Sequence, residues 1–155
     1  MTLQMDIAAL QRFLVQEFPQ VRDMLKVTQI TDDGLIVELQ VDDSHLRPGG
    51  TVSGPTMFML ADVGVYLAIL SRIGAVALAV TTSCSMDFMR KPAAGWDMRC
   101  ETRILKLGRS LAVCDALIFS QGQDAPVARA NMTYAIPPKP AAITKGGQNK
   151  PQNVG

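Results

Sequence analysis

From Pro55 to Leu70 the chain carries one formal charge, Asp62, in an otherwise apolar or neutral run. Met57, Leu60, Ala61, Gly64, Val65 and Ala68 recur at the helical period, while Phe58, Met59, Tyr66 and Ile69 cover the opposite side. The segment predicts a helix over about 54–71 that is apolar on nearly every face. A helix of that kind is buried on nearly every face, so the rest of the chain has to wrap around it. A lone ionised carboxylate in apolar surroundings needs a partner or hydrogen bonds, which singles out Asp62. Taken alone, a buried helical Asp is more often a structural hydrogen-bonding residue than a reactive one.

The start of the helix adds a second feature. Pro55 suits the first helical position and pushes Gly54 away from the helical region, which predicts Gly54 as the N-cap. Unpaired N–H groups and the positive end of the helix dipole then gather near Gly54, where they can stabilise a developing oxyanion. At about 1.5 Å of rise per residue, Gly54 and Asp62 lie roughly 12 Å apart along the axis, too far to serve one carbonyl group. Two antiparallel helices related by a two-fold axis could place Asp62 of one subunit beside Gly54 of another.

The 155 residues, 48% hydrophobic with a formal net charge of +1, suffice for one domain with a sizeable core and carry no basic excess of the kind nucleic acid attracts. Residues 1–137 read as that domain and 138–155 as a flexible tail, since PPKPAAITKGGQNKPQNVG has almost no apolar content. The odd cysteine count, Cys84, Cys100 and Cys114 without CxxC spacing, reads as reduced core thiols. No N-terminal targeting pattern is evident and the longest apolar run falls short of the roughly 20 residues of a membrane span, so a cytoplasmic protein is expected.

Along the chain, MDIAALQRFLVQEF predicts an amphipathic helix over 5–18 ended by Pro19. LKVTQITDDGLIVELQV alternates on either side of Asp33-Gly34 and predicts a hairpin. The loop VDDSHLRPGG, where His45 reads as solvated, leads to the central helix. AVALAVTTSCSMDFM, WDMRCETRILKL, RSLAVCDALIFS and APVARANMTYAI are further alternating runs. Strands in sequence around one helix make an α+β pattern with an antiparallel sheet.

The run GTVSGPTMFMLAD, with Thr81 at a strand start and Gly108-Arg109 later on, resembles the hotdog-fold acyl-CoA thioesterases of the phenylacetate-degradation and 4-hydroxybenzoyl-CoA type, which read GxxHGGxxxxLAD at this place. The resemblance covers about residues 25–136. It implies a sheet of five to six strands wrapped around the helix, with acyl-CoA hydrolysed at a dimer interface. It assigns the helix carboxylate to Asp62, the oxyanion-binding glycine N–H to Gly54, and a water-orienting hydroxyl to Thr81. It also implies a homodimer, and a dimer of dimers, with no metal or redox cofactor and coenzyme A entering only as part of the substrate. The sequence departs from the pattern at Ser53 in place of His, at Pro55 in place of the second Gly, and at Arg47 where many members carry Asn or Gln.

The remaining candidates are substrate contacts. Met57, Phe58 and Tyr66 suggest a pocket for a medium-length aliphatic or an aromatic acyl group. Arg90, Lys91 and Arg109 flank turns, as phosphate partners for coenzyme A or simply as solvated charges. Ser53 reads as a hydroxyl capping the helix start; as a nucleophile it would need His45 for a base, the only His in the chain. Thr81 against Thr82 depends on strand register. Two alternatives to hydrolysis stay open: a non-catalytic acyl-CoA or acyl-carrier binding protein, and a hotdog hydratase or dehydratase.

Overall fold

The computed structural model describes residues 2–21 and 23–138. The expected tail lies, from residue 139 on, outside the described residues. In chain order the elements are α1 (Ile7–Glu17), β1 (Leu25–Ile30), β2 (Gly34–Leu39), a 3-10 turn (Asp43–His45), α2 (Gly54–Ile73), β3 (Val80–Phe88), β4 (Met98–Leu107), β5 (Leu111–Ser120) and β6 (Ala128–Ala135). The six strands form one antiparallel sheet in the order β1-β2-β4-β5-β6-β3. Helix α2 lies chiefly against β2, β4 and β5. This is the hotdog arrangement, a central helix held by an antiparallel sheet, with an additional N-terminal helix.

The alternation of the strands dictates which side chains meet α2. Met98, Cys100, Thr102 and Ile104 of β4, Ala112, Cys114, Ala116 and Ile118 of β5, and Ala128, Ala130, Met132 and Tyr134 of β6 are all buried, as period-two packing on one sheet face requires. Opposite them, Leu60, Leu67, Ile69 and Leu70 of α2 are fully buried, and each such side chain contributes about 1.5–3 kcal/mol. The closest approach is at Gly64, where a Cβ would lie 3.1 Å from Val37, 3.3 Å from the Cys100 sulfur and 3.3 Å from Thr102 Cγ2. The helix therefore rests directly on β2 and β4. With 20 residues it is long and apolar enough to cross a membrane, more than the sequence reading allowed, but 72% of its apolar window is buried inside the fold.

Four expectations need correction. The hairpin forms, but Gly34 begins β2 rather than turning the chain. It must be glycine because a Cβ there would sit 1.9 Å from the Thr102 carbonyl oxygen. Helix α1 is shorter than expected, since the Asp6 side chain accepts from the Ala9 N–H and caps it. Cys100 and Cys114 are buried as core thiols, whereas Cys84 is exposed because β3 is an edge strand and α2 barely covers it. His45, expected in solvent, is 5% exposed. Its Nδ1 accepts the Asp42 N–H at 2.9 Å within a reciprocal capping box.

Candidate active site

Local hydrogen bonds fix the start of α2. The Ser53 backbone is extended (φ −72°, ψ 154°) and its Oγ accepts from the Thr56 N–H at 3.3 Å. Ser53, not Gly54, is therefore the N-cap, because a hydroxyl can satisfy a helix-start N–H and glycine cannot. Ser53 Oγ also pairs with Thr56 Oγ1 at 2.8 Å. The His45 carbonyl accepts from both Thr56 Oγ1 at 3.2 Å and the Ser53 N–H at 2.9 Å. Gly54 becomes the first helical residue, and its N–H is one of those with no acceptor inside the helix. A Cβ at Gly54 would rest 3.4 Å from the Phe88 ring, an ordinary contact, which places Gly54 beside the far end of β3.

Eight residues on, Asp62 is half-buried on the side of α2 that β3 and β6 approach. Thr81 Oγ1 donates to Asp62 Oδ1. Tyr134 Oη lies 2.7 Å from the same oxygen and 2.8 Å from the Asp62 carbonyl. Thr81 and Tyr134 are cross-strand partners, and the irregularity between Thr81 and Ser83 sets Thr81 inward while Thr82 bonds the Thr133 carbonyl at 3.2 Å. Burial, then the negative charge of Asp62, pushes the Tyr134 phenol upward in pKa, so it stays protonated and able to donate. Both donors engage Oδ1, which leaves Oδ2 uncommitted among the described residues. A carboxylate oriented in this way can accept a proton from a water or attack directly.

Beside Asp62 opens a hollow of about 360 Å³ lined by Glu17, Phe18, Val63, Tyr66, Ala77, Ala79, Val80, Thr81 and Tyr134. Tyr66 stacks on Tyr134 with ring centres 6.2 Å apart and meets Phe13 at 5.9 Å. Its hydroxyl donates to the Ala77 carbonyl at 2.8 Å, so the ring forms a fixed wall.

The remaining candidates divide between the ends of the sheet. Arg90 and Lys91 follow the Phe88 end of β3, with Arg90 Nη1 donating to the Pro126 carbonyl at 2.7 Å. Arg109 sits in the β4–β5 turn, near the Val80–Ala135 pair. The length of β3, eight steps or about 26 Å, separates them within one chain. Phe58 is 40% exposed one turn into α2, but Met57 is 4% exposed and packs in the core rather than facing a ligand. Arg47 is exposed in the turn before α2, where its N–H donates to the Thr51 carbonyl at 2.9 Å. Ser53 Oγ is engaged by Thr56 and His45 Nδ1 by Asp42, so no Ser53–His45–Asp62 relay forms. Tyr134 was not singled out in the sequence; its signal was a hydroxyl-bearing aromatic in the inward phase of Ala128, Ala130 and Met132.

A half-buried, hydroxyl-bonded carboxylate on a helix cradled by an antiparallel sheet defines a hotdog protein equipped for acid–base or nucleophilic work at a carbonyl group. The description of the thioesterase superfamily matches residues 49–137, and the chain belongs to that superfamily of thioester hydrolases. Among solved structures, a Silicibacter protein described as a thioesterase is 51% identical, with a TM-score of 0.84 over 89% of this chain and 96% of that one. A mutant of the phenylacetic acid degradation protein of Thermus thermophilus is 30% identical, with a TM-score of 0.65 over 76% of this chain and 97% of that one. A Streptococcus mutans protein solved bound to acetyl CoA is 24% identical, with a TM-score of 0.65 over 74% and 90%, a likeness of fold alone. A Pseudomonas aeruginosa protein named as an esterase is 33% identical over 86 residues, 56% of this chain and 64% of that relative. That match spans less than two thirds of the relative's length.

Proposed function

We propose that the protein hydrolyses a medium-chain or aromatic acyl-CoA to the free acid and coenzyme A, at a site shared between two subunits. The observation that carries this reading is Asp62, with Oδ1 held by Thr81 and Tyr134 and Oδ2 left uncommitted among the described residues, beside an aromatic-walled hollow. Asp62 takes a proton from water as the water oxygen attacks the thioester carbonyl. The resulting oxyanion is held by the Gly54 N–H of a second subunit. As the tetrahedral intermediate collapses, the C–S bond breaks and the proton on Asp62 passes to the departing thiolate. Attack by Asp62 itself is the other route the geometry supports; it would form a mixed anhydride that water then opens.

The shared site follows from the roughly 12 Å between Gly54 and Asp62 along one helix. β1 and β3 are the two edge strands within the described residues; β3 is the one that runs from Asp62, bonded by Thr81, to Gly54, beside Phe88, which supports β3 as the surface where two subunits join. In that arrangement Arg90 and Lys91, at the Gly54 end of β3, are placed to meet the phosphates of coenzyme A bound at a second subunit's Asp62. The superfamily and the acetyl CoA in the Streptococcus mutans relative support the acyl-CoA class. A hydratase reading is disfavoured because His45 is buried in its own capping box, away from the base position.

The test is a panel of straight-chain and aryl acyl-CoA substrates, with released thiol as the readout. Thiol release from at least one group of chain lengths supports hydrolysis. Tight binding of the whole panel with no release would make the protein a carrier rather than an enzyme.

A further inference from the structure

The hollow beside Asp62 contains a second carboxylate that the hydrolytic scheme does not use. Glu17 is the last residue of α1 and lines the hollow together with Phe18, Tyr66 and Asp62. Its place is not explained by local stability. A helix C-terminus favours a cation over a carboxylate, the last turn of α1 holds no basic residue, and Glu17 forms no ion pair among the described residues. Its charge is nevertheless felt inside the hollow: after burial, Glu17 is the cause that raises the Tyr66 phenol. The lining thus holds two carboxylates and no cation; Arg109 lies outside it in the β4–β5 turn, and Arg90 and Lys91 of the same subunit sit at the other end of β3.

We propose that Glu17 is a specificity-determining residue that sorts acyl groups by charge, admitting acyl chains that are neutral along their length and excluding those that end in a second carboxylate. This rests on the hydrolytic reading above and goes further, because aromatic and aliphatic walls alone would not distinguish a methyl-ended chain from a carboxylate-ended one of the same length. A negative group entering the hollow meets two like charges and, within the subunit's own lining, no counter-charge; because Glu17 is open to solvent, that repulsion falls as salt is raised. The phosphate-bearing part of coenzyme A is kept out by the same field, which directs the acyl group inward and the nucleotide outward.

The experiment compares hexanoyl-CoA with adipoyl-CoA, six-carbon acyl groups ending in a methyl and a carboxylate. The wild-type protein, Glu17→Gln and Glu17→Asp are assayed for kcat/KM. In parallel, the thioether analogues of both substrates, which cannot be hydrolysed, are titrated by calorimetry. Expected is a strong wild-type preference for hexanoyl-CoA, narrowed at least tenfold in Glu17→Gln, mainly through the KM of adipoyl-CoA, and retained in Glu17→Asp. Raising the salt concentration narrows the wild-type preference as well, since the Glu17 carboxylate is solvent-exposed and screened. An unchanged preference in Glu17→Gln, in rates and in binding, overturns the proposal while leaving hydrolysis intact. No thiol release, with analogue binding still sorted by charge and relaxed in Glu17→Gln, removes the hydrolytic reading and keeps the filter. Failure of both analogues to bind overturns the filter outright.

Discussion

The two parts of α2 that the proposed chemistry requires are held in place by opposite means. Gly54 is positioned by hydrogen bonds among neighbours in sequence: His45, Ser53 and Thr56 tie the loop to the first helical turn. Asp62 is positioned by Thr81 and Tyr134, 19 and 72 residues away and on two different strands. The difference teaches that the Gly54 end of the proposed site needs only the helix start and the loop before it, whereas the carboxylate end needs strands from distant parts of the chain.

The sharpest way to break this contrast is at the carboxylate. Asp62→Asn keeps the shape of the side chain and removes the base, so turnover is expected to fall about 100-fold or more with an unchanged circular dichroism spectrum. Wild-type turnover in that variant would sink the mechanism. The Gly54 end is tested by Gly54→Val, whose branched side chain would press on Phe88 and cover the N–H. Each variant alone should turn over substrate at about a hundredth of the wild-type rate or less. Mixing the two and letting subunits exchange should restore about a quarter of wild-type activity, because half the dimers are mixed and each mixed dimer has one intact site of two. If verified exchange restores nothing, the two ends do not serve one site.

A smaller effect is expected from Tyr134→Phe. A hydrogen bond to a charged group contributes about 1.5–3 kcal/mol, and losing part of it from the transition state should slow turnover about tenfold. The change should appear in kcat rather than KM; a pure KM effect would reassign Tyr134 to the wall of the hollow. The smallest kinetic effect belongs to Ser53→Ala, which removes the cap and should cost about 0.5–2 kcal/mol in a denaturant melt with little change in the chemical step. An acyl adduct on Ser53, found by mass spectrometry with Asp62 intact, would replace the carboxylate mechanism with a serine one.

The same contrast explains what could be read without the structure. The helix, its single charge and the Gly54–Asp62 spacing are features of one continuous stretch, and periodicity exposes them directly. The N-cap was misplaced by one residue because Pro55 is tolerated in the first turn, while the deciding factor, a hydroxyl on Ser53 reaching the Thr56 N–H, competes locally with backbone preference. The alternation of APVARANMTYAI puts Tyr134 on the inward face, but nothing in it says that the residue it meets there is Asp62, 72 positions away. His45 was misread since the capping pair Asp42…His45 lies in an acidic, turn-prone loop that otherwise looks solvated. Cys84 has the alternation of an inward residue, but burial depends on what covers the strand, and α2 lies over β2, β4 and β5 instead.

Gly64, two residues past Asp62, seats α2 on β2 and β4 with clearances of 3.1–3.3 Å to any side chain it might acquire. On that flank an added Cβ fits only if Val37, Cys100 or Thr102 gives way by a few tenths of an ångström, and the helix that carries the carboxylate is seated there, outside the lining of the hollow. A lineage adapting to new acyl groups, in nature or under laboratory selection, therefore has one flank to remodel and one it must leave alone. Variation compatible with activity should accumulate along α1 and the β3 side, while conservative-looking enlargements at Gly64, Val37 or Cys100 should be purged although they lie outside the hollow.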